Sequence, residues 1–343
     1  MTRRLRPQGR GPALSVIGLA AALAALLLPG THAQETQGRI WTVCAEGCDF
    51  ASIQEAIDLA TEGDTVRVMP GSYRENLVIE KAITLEGRPD EEARKAVTVQ
   101  PENFEEPTLL IRRPDVLSPL EGVVVRGLVI RSLEMVPGTP PQAGVAVRIE
   151  GVGAVLEGNR IVEGIGIRAF ALGGTEIVLR DNEIVGSGAM GIQAGGDGRL
   201  VVVDNRVEDK RGGMAIGGFL DAELRGNLVQ NNYTGLSLIA LGGSGEILAE
   251  ENQVLFNVVG VELRGSVEVE LNRNEIARNI NWGLILHKPA CAELFIPEGE
   301  FQGTVQGRDN VMYDNGNGNL CPSPEDYPWP EGFVRPPEEG EGD

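Results

Sequence analysis

Two histidines, His32 and His287, are all that the 343-residue chain contains. With so few, a histidine-built metal centre is excluded, and a Ser-His-Asp triad has little to draw on. Aromatic residues make up only 4%. Basic residues are outnumbered, 30 Lys and Arg against 50 Asp and Glu, so the net charge is −20. That balance argues against nucleic acid or anionic lipid as a partner, because both repel an acidic protein. Past Leu28 no apolar run approaches the roughly 18–20 residues of a spanning helix. No membrane span is therefore expected in the mature chain.

The one long apolar run, Ala13 to Leu28, follows Arg3, Arg4, Arg6 and Arg10 and precedes Thr31-His32-Ala33. This is the pattern of a cleavable signal peptide over residues 1–33. It predicts a secreted, periplasmic or cell-surface protein beginning near Gln34. Cleavage removes four arginines and no acid, leaving 26 basic against 50 acidic residues and a net charge of −24. An anionic polysaccharide would then need a local basic groove or bridging cations. Four cysteines remain, and an even count in an exported chain reads as two disulfides. Of three connectivities, proximity favours Cys44 with Cys48 and Cys291 with Cys321, one pair pinning each end.

What the chain does have is 46 glycines, with Val, Ile and Leu in short bursts. Short strands and frequent turns follow. An asparagine followed two positions later by Ile or Val recurs at Asn159, Asn182, Asn205, Asn227, Asn252 and Asn274, with intervals of 23, 23, 22, 25 and 22. A strand-like burst precedes each, and a small residue with an aliphatic follows eight to ten positions on, as at Gly191-Ile192 and Gly260-Val261. Each repeat thus holds three strands in about 22 residues, too little chain for a crossover helix. The expected fold is all-β, a parallel β-helix whose inward aliphatics stack from coil to coil. The six asparagines suit tight corners and an amide ladder between coils. Their role is structural.

The amino-terminal part resembles a known group. Asp49-Phe50-Ala51-Ser52-Ile53-Gln54-Glu55-Ala56-Ile57, Gly63-Asp64-Thr65-Val66-Arg67-Val68, Pro70-Gly71-Ser72-Tyr73-Arg74-Glu75-Asn76 and Ile83-Thr84-Leu85-Glu86-Gly87 look like the opening shared by pectin methylesterases and NosD-like proteins. Over residues 41–320 the chain resembles the pectin-lyase-like right-handed parallel β-helix proteins, including those with carbohydrate-binding and sugar-hydrolase domains. The resemblance implies a right-handed solenoid and a carbohydrate ligand. Ser52 can cap a short helix within residues 49–62 that closes the open end of the core. The domain is expected over residues 34–321, with regular coils about 155–290. Loops around Pro89–Lys95, Pro101–Pro107 and Met135–Gln142 should project from it, and residues 322–343, rich in Pro, Glu and Gly, read as a mobile tail.

Catalytic signals are sparse. The catalytic motifs of polygalacturonases and pectin methylesterases have no counterpart, and copper binding would need clustered His, Met or Cys where Met69, Met135, Met190, Met214, Met312 and His287 are scattered. Asn232-Tyr233-Thr234 matches a glycosylation sequon. One constellation has a chemical rationale: Asp181, Asp204, Asp209 and Asp221 as calcium ligands, with Lys210 or Arg211 as base, for β-elimination from a uronate. The favoured expectation is a protein that binds polysaccharide along a solenoid face; the alternative is a calcium-assisted polyuronate lyase.

Overall fold

The computed structural model describes residues 38–90, 96–115, 120–132, 144–218, 221–240, 245–291, 299–335 and 337. The expected signal peptide and the Met135–Gln142 bulge lie outside the described residues. Three parallel sheets run the length of the fold, with 11 strands in sheet A, 11 in sheet B and 10 in sheet C among the described residues. The chain visits A, then B, then C in each coil, and every sheet joins strands from successive coils. This is a right-handed parallel β-helix.

Register explains why a repeat with so few large rings can build a core. In sheet A, Leu156, Leu179, Val202 and Leu224 occupy one row on adjacent strands. Ile161, Ile184 and Val207 do the same in sheet B, and Ile167, Ile192, Met214 and Leu236 in sheet C. All are essentially inaccessible to solvent. Strands about 4.8 Å apart bring like side chains into contact, so branched aliphatics fill a continuous interior.

The corner between sheets A and B is built by a pair of residues. The first is left-handed: Gly158, Asp181, Asp204, Gly226, Glu251, Arg273 and Asp309 have φ between 53° and 65°. The second is the buried ladder asparagine. Asn182 Nδ2 donates to Asn205 Oδ1 at 3.0 Å and to Leu156 O at 2.9 Å, and Asn205 Nδ2 donates to Asn227 Oδ1 at 3.1 Å. The ladder continues through Asn252 and Asn274 to Asn310. All six predicted asparagines are in it.

Both ends are closed. At the first coil, helix Ile53–Leu59 lays Ile53, Ala56 and Ile57 on the core. The Glu75 carboxylate accepts from Ile53 N and Gln54 N at 2.9 Å and from the Ser52 hydroxyl at 2.8 Å. Asp64, buried beside this cap, accepts from Thr61 N at 2.9 Å, Trp41 Nε1 at 3.1 Å and Arg39 N at 2.7 Å. These bonds, Thr61's foremost, hold its carboxyl down to about 2. A carboxyl depressed from the usual ~3.9 stabilises the fold by about 2 kcal/mol above that pH, and the gain disappears as pH falls towards 2. Urea unfolding between pH 5 and pH 2 should therefore lose that amount more in the wild type than in Asp64→Asn; parallel pH profiles would contradict it.

At the last coil the structure corrects the expected tail. Within 322–343, residues 322–335 form a cap: Phe333 is 2% exposed, Trp329 stacks on it at 5.3 Å, and Tyr327 meets Trp329 edge-on at 4.9 Å. Val334–Arg335 adds a strand to sheet B. Three rings in a Pro- and Glu-rich segment gain enough from the open core end to order it. The disulfides pair as expected, Cys44 with Cys48 and Cys291 with Cys321.

Candidate functional site

The three outer faces differ in what they offer a ligand. Sheet B is narrow, its array strands only three residues long between two corners. Sheet A is laced by ion pairs. Arg67 reaches Glu86 at 2.6 Å, Glu86 meets Arg126 at 2.8 Å, Arg126 meets Glu157 at 3.4 Å, and Glu157 pairs with Arg180. Burial pushes the Glu86 carboxyl up, but hydrogen bonds from Arg67 and Arg126 outweigh it and hold the group low. Further along, sheet A carries a cavity of about 420 Å³ lined by Asp221, Glu223, Glu246, Glu268, Glu270 and Arg199.

Sheet C is the broad face, with strands of six or seven residues from Val145–Glu150 to Val259–Gly265. Ten strands at about 4.8 Å give it a length of roughly 43 Å. Its central outward row runs Arg148, Arg168, Gln193, Ala215, Ser237, Glu262. With Gly195 and Gly217 beside Ala215, the middle of the face is a shallow floor of small, half-buried residues. At the amino-terminal side lies a cavity of about 580 Å³ lined by Arg112, Arg113, Arg148, Glu150, Phe170 and Leu172. Arg148 Nε donates to Glu150 at 2.7 Å, Arg168 Nε donates to Gln193 Oε1 at 3.0 Å, and Arg112 Nε donates to Glu80 at 2.8 Å. Arg113 lies so close over Gly151 that a Cβ there would sit 3.1 Å from its Nε. At the other end, Cys291 and Cys321 pack with Ile285, Val259 and Trp282 on the outside of the sheet. Beside them His287 Nδ1 and Arg264 Nε are 3.6 and 3.7 Å from one oxygen of Glu262.

The six residues weighed for calcium-assisted chemistry stand on different parts of the coil. Asp181 and Asp204 are left-handed residues of the A–B corner, Asp209 (φ 60°) is one of the B–C corner, and Asp221 begins a sheet A strand. Among the described residues no three His, Cys, Asp or Glu side chains are grouped to hold a metal ion. Arg211 is exposed at the B–C corner, whereas Lys210 is buried and its Nζ donates to Gly164 O at 3.2 Å.

The position of Lys210 exposes a second ladder that the sequence reading passed over. Asn232, Asn257, Asn279 and Asn315 stack at the B–C corner through bonds of 2.9–3.2 Å. Lys210 occupies the next rung, its N–H donating to Asn232 Oδ1 at 3.0 Å. The signal was the asparagine three or four residues ahead of each Gly-aliphatic pair. Asn232 is the asparagine of the Asn232-Tyr233-Thr234 sequon, but its buried amide is spent on Asn257 and Gln230. Burial pulls the Lys210 amine down to about 8, against the attraction of Glu163 and Asp209. For a cation this is a penalty: stability is lower below pH 8 and recovers as pH rises from about 8 to the unfolded value near 10.4. Lys210→Asn, whose amide would face Asn232 Oδ1 and Ile184 O, should raise stability at pH 7 by about 1–2 kcal/mol. Denaturant midpoints at pH 7 and pH 10 check this; a less stable variant at pH 7 would count against it.

Residues 142–292 match the family described as right handed beta helix region. No curated protein matches the chain in sequence. Among solved structures, XylC with xylose is 10% identical over 82% of this chain and 86% of that one, with a TM-score of 0.49. The periplasmic alginate epimerase AlgG is 14% identical over 75% and 73%, at 0.44. Pectin methylesterase from carrot is 12% identical over 88% and 89%, at 0.40.

Proposed function

Because residues 142–292 match the right handed beta helix region family and the chain folds as a right-handed parallel β-helix, we propose that it is an extracytoplasmic protein binding polysaccharide along the outer face of sheet C. One observation carries this reading: only sheet C, among the described faces, joins a wide strand row to a floor of small residues running between two polar ends. An extended chain lying along the solenoid would meet equivalent positions on successive coils. The disulfides support an oxidising, exported setting.

The test places a bulky side chain on the floor. Ala215→Trp should weaken binding to a retained glycan at least tenfold without lowering Tm, whereas Val201→Trp on the outside of sheet A should leave it unchanged. Loss in the second variant alone would move the site off sheet C. The same wells, with and without calcium, are read for unsaturated product. Calcium-dependent product abolished in Arg211→Ala or Lys210→Ala would replace the binding reading with the lyase.

A further inference from the structure

Sheet C complements itself when turned end for end. Its ten strands have their midpoint between Met190–Gly196 and Gly212–Gly217. In the central outward row, Leu110 and Arg148 stand as many strands before that midpoint as Ile285 and Glu262 stand after it. In the next outward row, Glu150 and Phe170 are balanced in the same way by Arg264 and Ile239. Each of these acids thus has a base as its counterpart, and each apolar side chain another apolar one. At the midpoint itself Gly195 and Gly217 leave the surface low.

We propose that sheet C is the contact face of a homodimer, in which two antiparallel solenoids meet about a two-fold axis running along the strands at this midpoint. Such an axis sets Arg148 against the partner's Glu262 and Glu150 against the partner's Arg264. Within one copy Arg148 already pairs with Glu150, and Arg264 lies beside Glu262. The meeting therefore closes a square of alternating charge, and symmetry makes two of them. Arg264 has bonding left to offer: its Nε is the one buried side-chain nitrogen or oxygen without a hydrogen-bond partner among the described residues, with Glu262 3.7 Å away. Between the squares Phe170 meets Ile239, both half-buried in the single copy, and beyond them Leu110 meets Ile285. The glycines at the centre let the two sheets approach closely. At roughly 43 Å by 20 Å the face offers about 800 Å², the area each partner gives to a stable interface of ordinary size. Charge selects this face as well. Two chains of net charge −20 repel, but within the strands these two rows set Arg112, Arg148, Arg168 and Arg264 against Glu150 and Glu262. The inference goes beyond polysaccharide binding and does not rest on it. Both need the same face, so a bound glycan and a second copy exclude one another.

Sedimentation equilibrium of the mature, disulfide-intact protein at moderate salt, without glycan, tests this. The wild type should dimerise with a dissociation constant in roughly the micromolar range. Arg148→Glu and Glu262→Arg should each weaken the dimer about tenfold or more, because every contact is lost twice. Combining them places two acids opposite the partner's two bases and should restore association. Parallel solenoids would instead set residue 148 against the partner's 150 and residue 262 against its 264, so there the double variant would be the weakest. Arg225→Glu, on the outside of sheet A, should leave the dimer unchanged. A circular-dichroism Tm for each variant shows that it is folded; should Arg148→Glu unfold, Arg148→Gln carries the same expectation of weakening. A wild type that stays monomeric at the highest soluble concentration overturns the inference, as does a dimer indifferent to both reversals or one that the double variant fails to restore. Glycan retention is read separately by Ala215→Trp, so loss of the dimer leaves the polysaccharide reading standing.

Discussion

Replacing Asn205 with alanine is expected to lower the unfolding free energy by about 3–5 kcal/mol. Few single surface changes approach this. Asn205 Oδ1 accepts from both the backbone and the side-chain nitrogen of Asn182 at 3.0 Å. Its own Nδ2 donates to Leu179 O, Val203 O and Asn227 Oδ1 within 3.1 Å. Alanine strips partners from groups on the coils to either side, at a 1%-exposed position that water does not reach. Each buried donor or acceptor left without a partner costs about 1–3 kcal/mol. Asn205→Asp should be equally damaging, since a carboxylate has no N–H for Leu179 O. By contrast Arg180→Ala, at the exposed end of the sheet A ladder, should cost less than about 1 kcal/mol. Equilibrium unfolding in guanidinium compares the three; a loss below about 1 kcal/mol for Asn205→Ala would show the ladder to be ornament.

Removing Cys291–Cys321 by paired alanine substitution should cost roughly 3.6 kcal/mol, and removing Cys44–Cys48 roughly 1.9 kcal/mol, from the loop-closure entropy of the unfolded chain. The difference follows from separations of 30 and 4 residues. The larger loss has a functional side. Cys321 is opposite Ile285 on sheet C, so the bridge ties Cys291 down over the end of the proposed groove. Loosening that end should raise the glycan dissociation rate as well as lower Tm. Similar destabilisation by the two pairs would mean that chain entropy is not what the bridges control.

The fold was legible because its physics is local and repeated. A corner asparagine and its following aliphatic recur at nearly constant spacing, and each says the same thing about its coil. The second ladder was harder to see, since Lys210 occupies one rung and the interval from Asn279 to Asn315 spans 36 residues. The terminal cap was misread because composition counts Pro, Glu and Gly, while Tyr327, Trp329 and Phe333 act through position. The sheet C arginines escaped for a different reason. Arg112, Arg148 and Arg168 come from three coils at irregular spacing, and only the strand register brings them to one face. Asp181, Asp204 and Asp209 resemble a carboxylate cluster in sequence, yet each occupies the left-handed backbone position that Asp tolerates better than most residues.

Sealing a stack at its two ends and nowhere else makes the coil a unit of growth. A duplicated coil of 22 or 23 residues between Asn182 and Asn227 would meet neighbours like those its parent already has, and neither the helix at one end nor the three rings at the other would register it. Each duplication would lengthen sheet C by about 4.8 Å. The footprint on a polymeric ligand is therefore a quantity that evolution can change in whole steps.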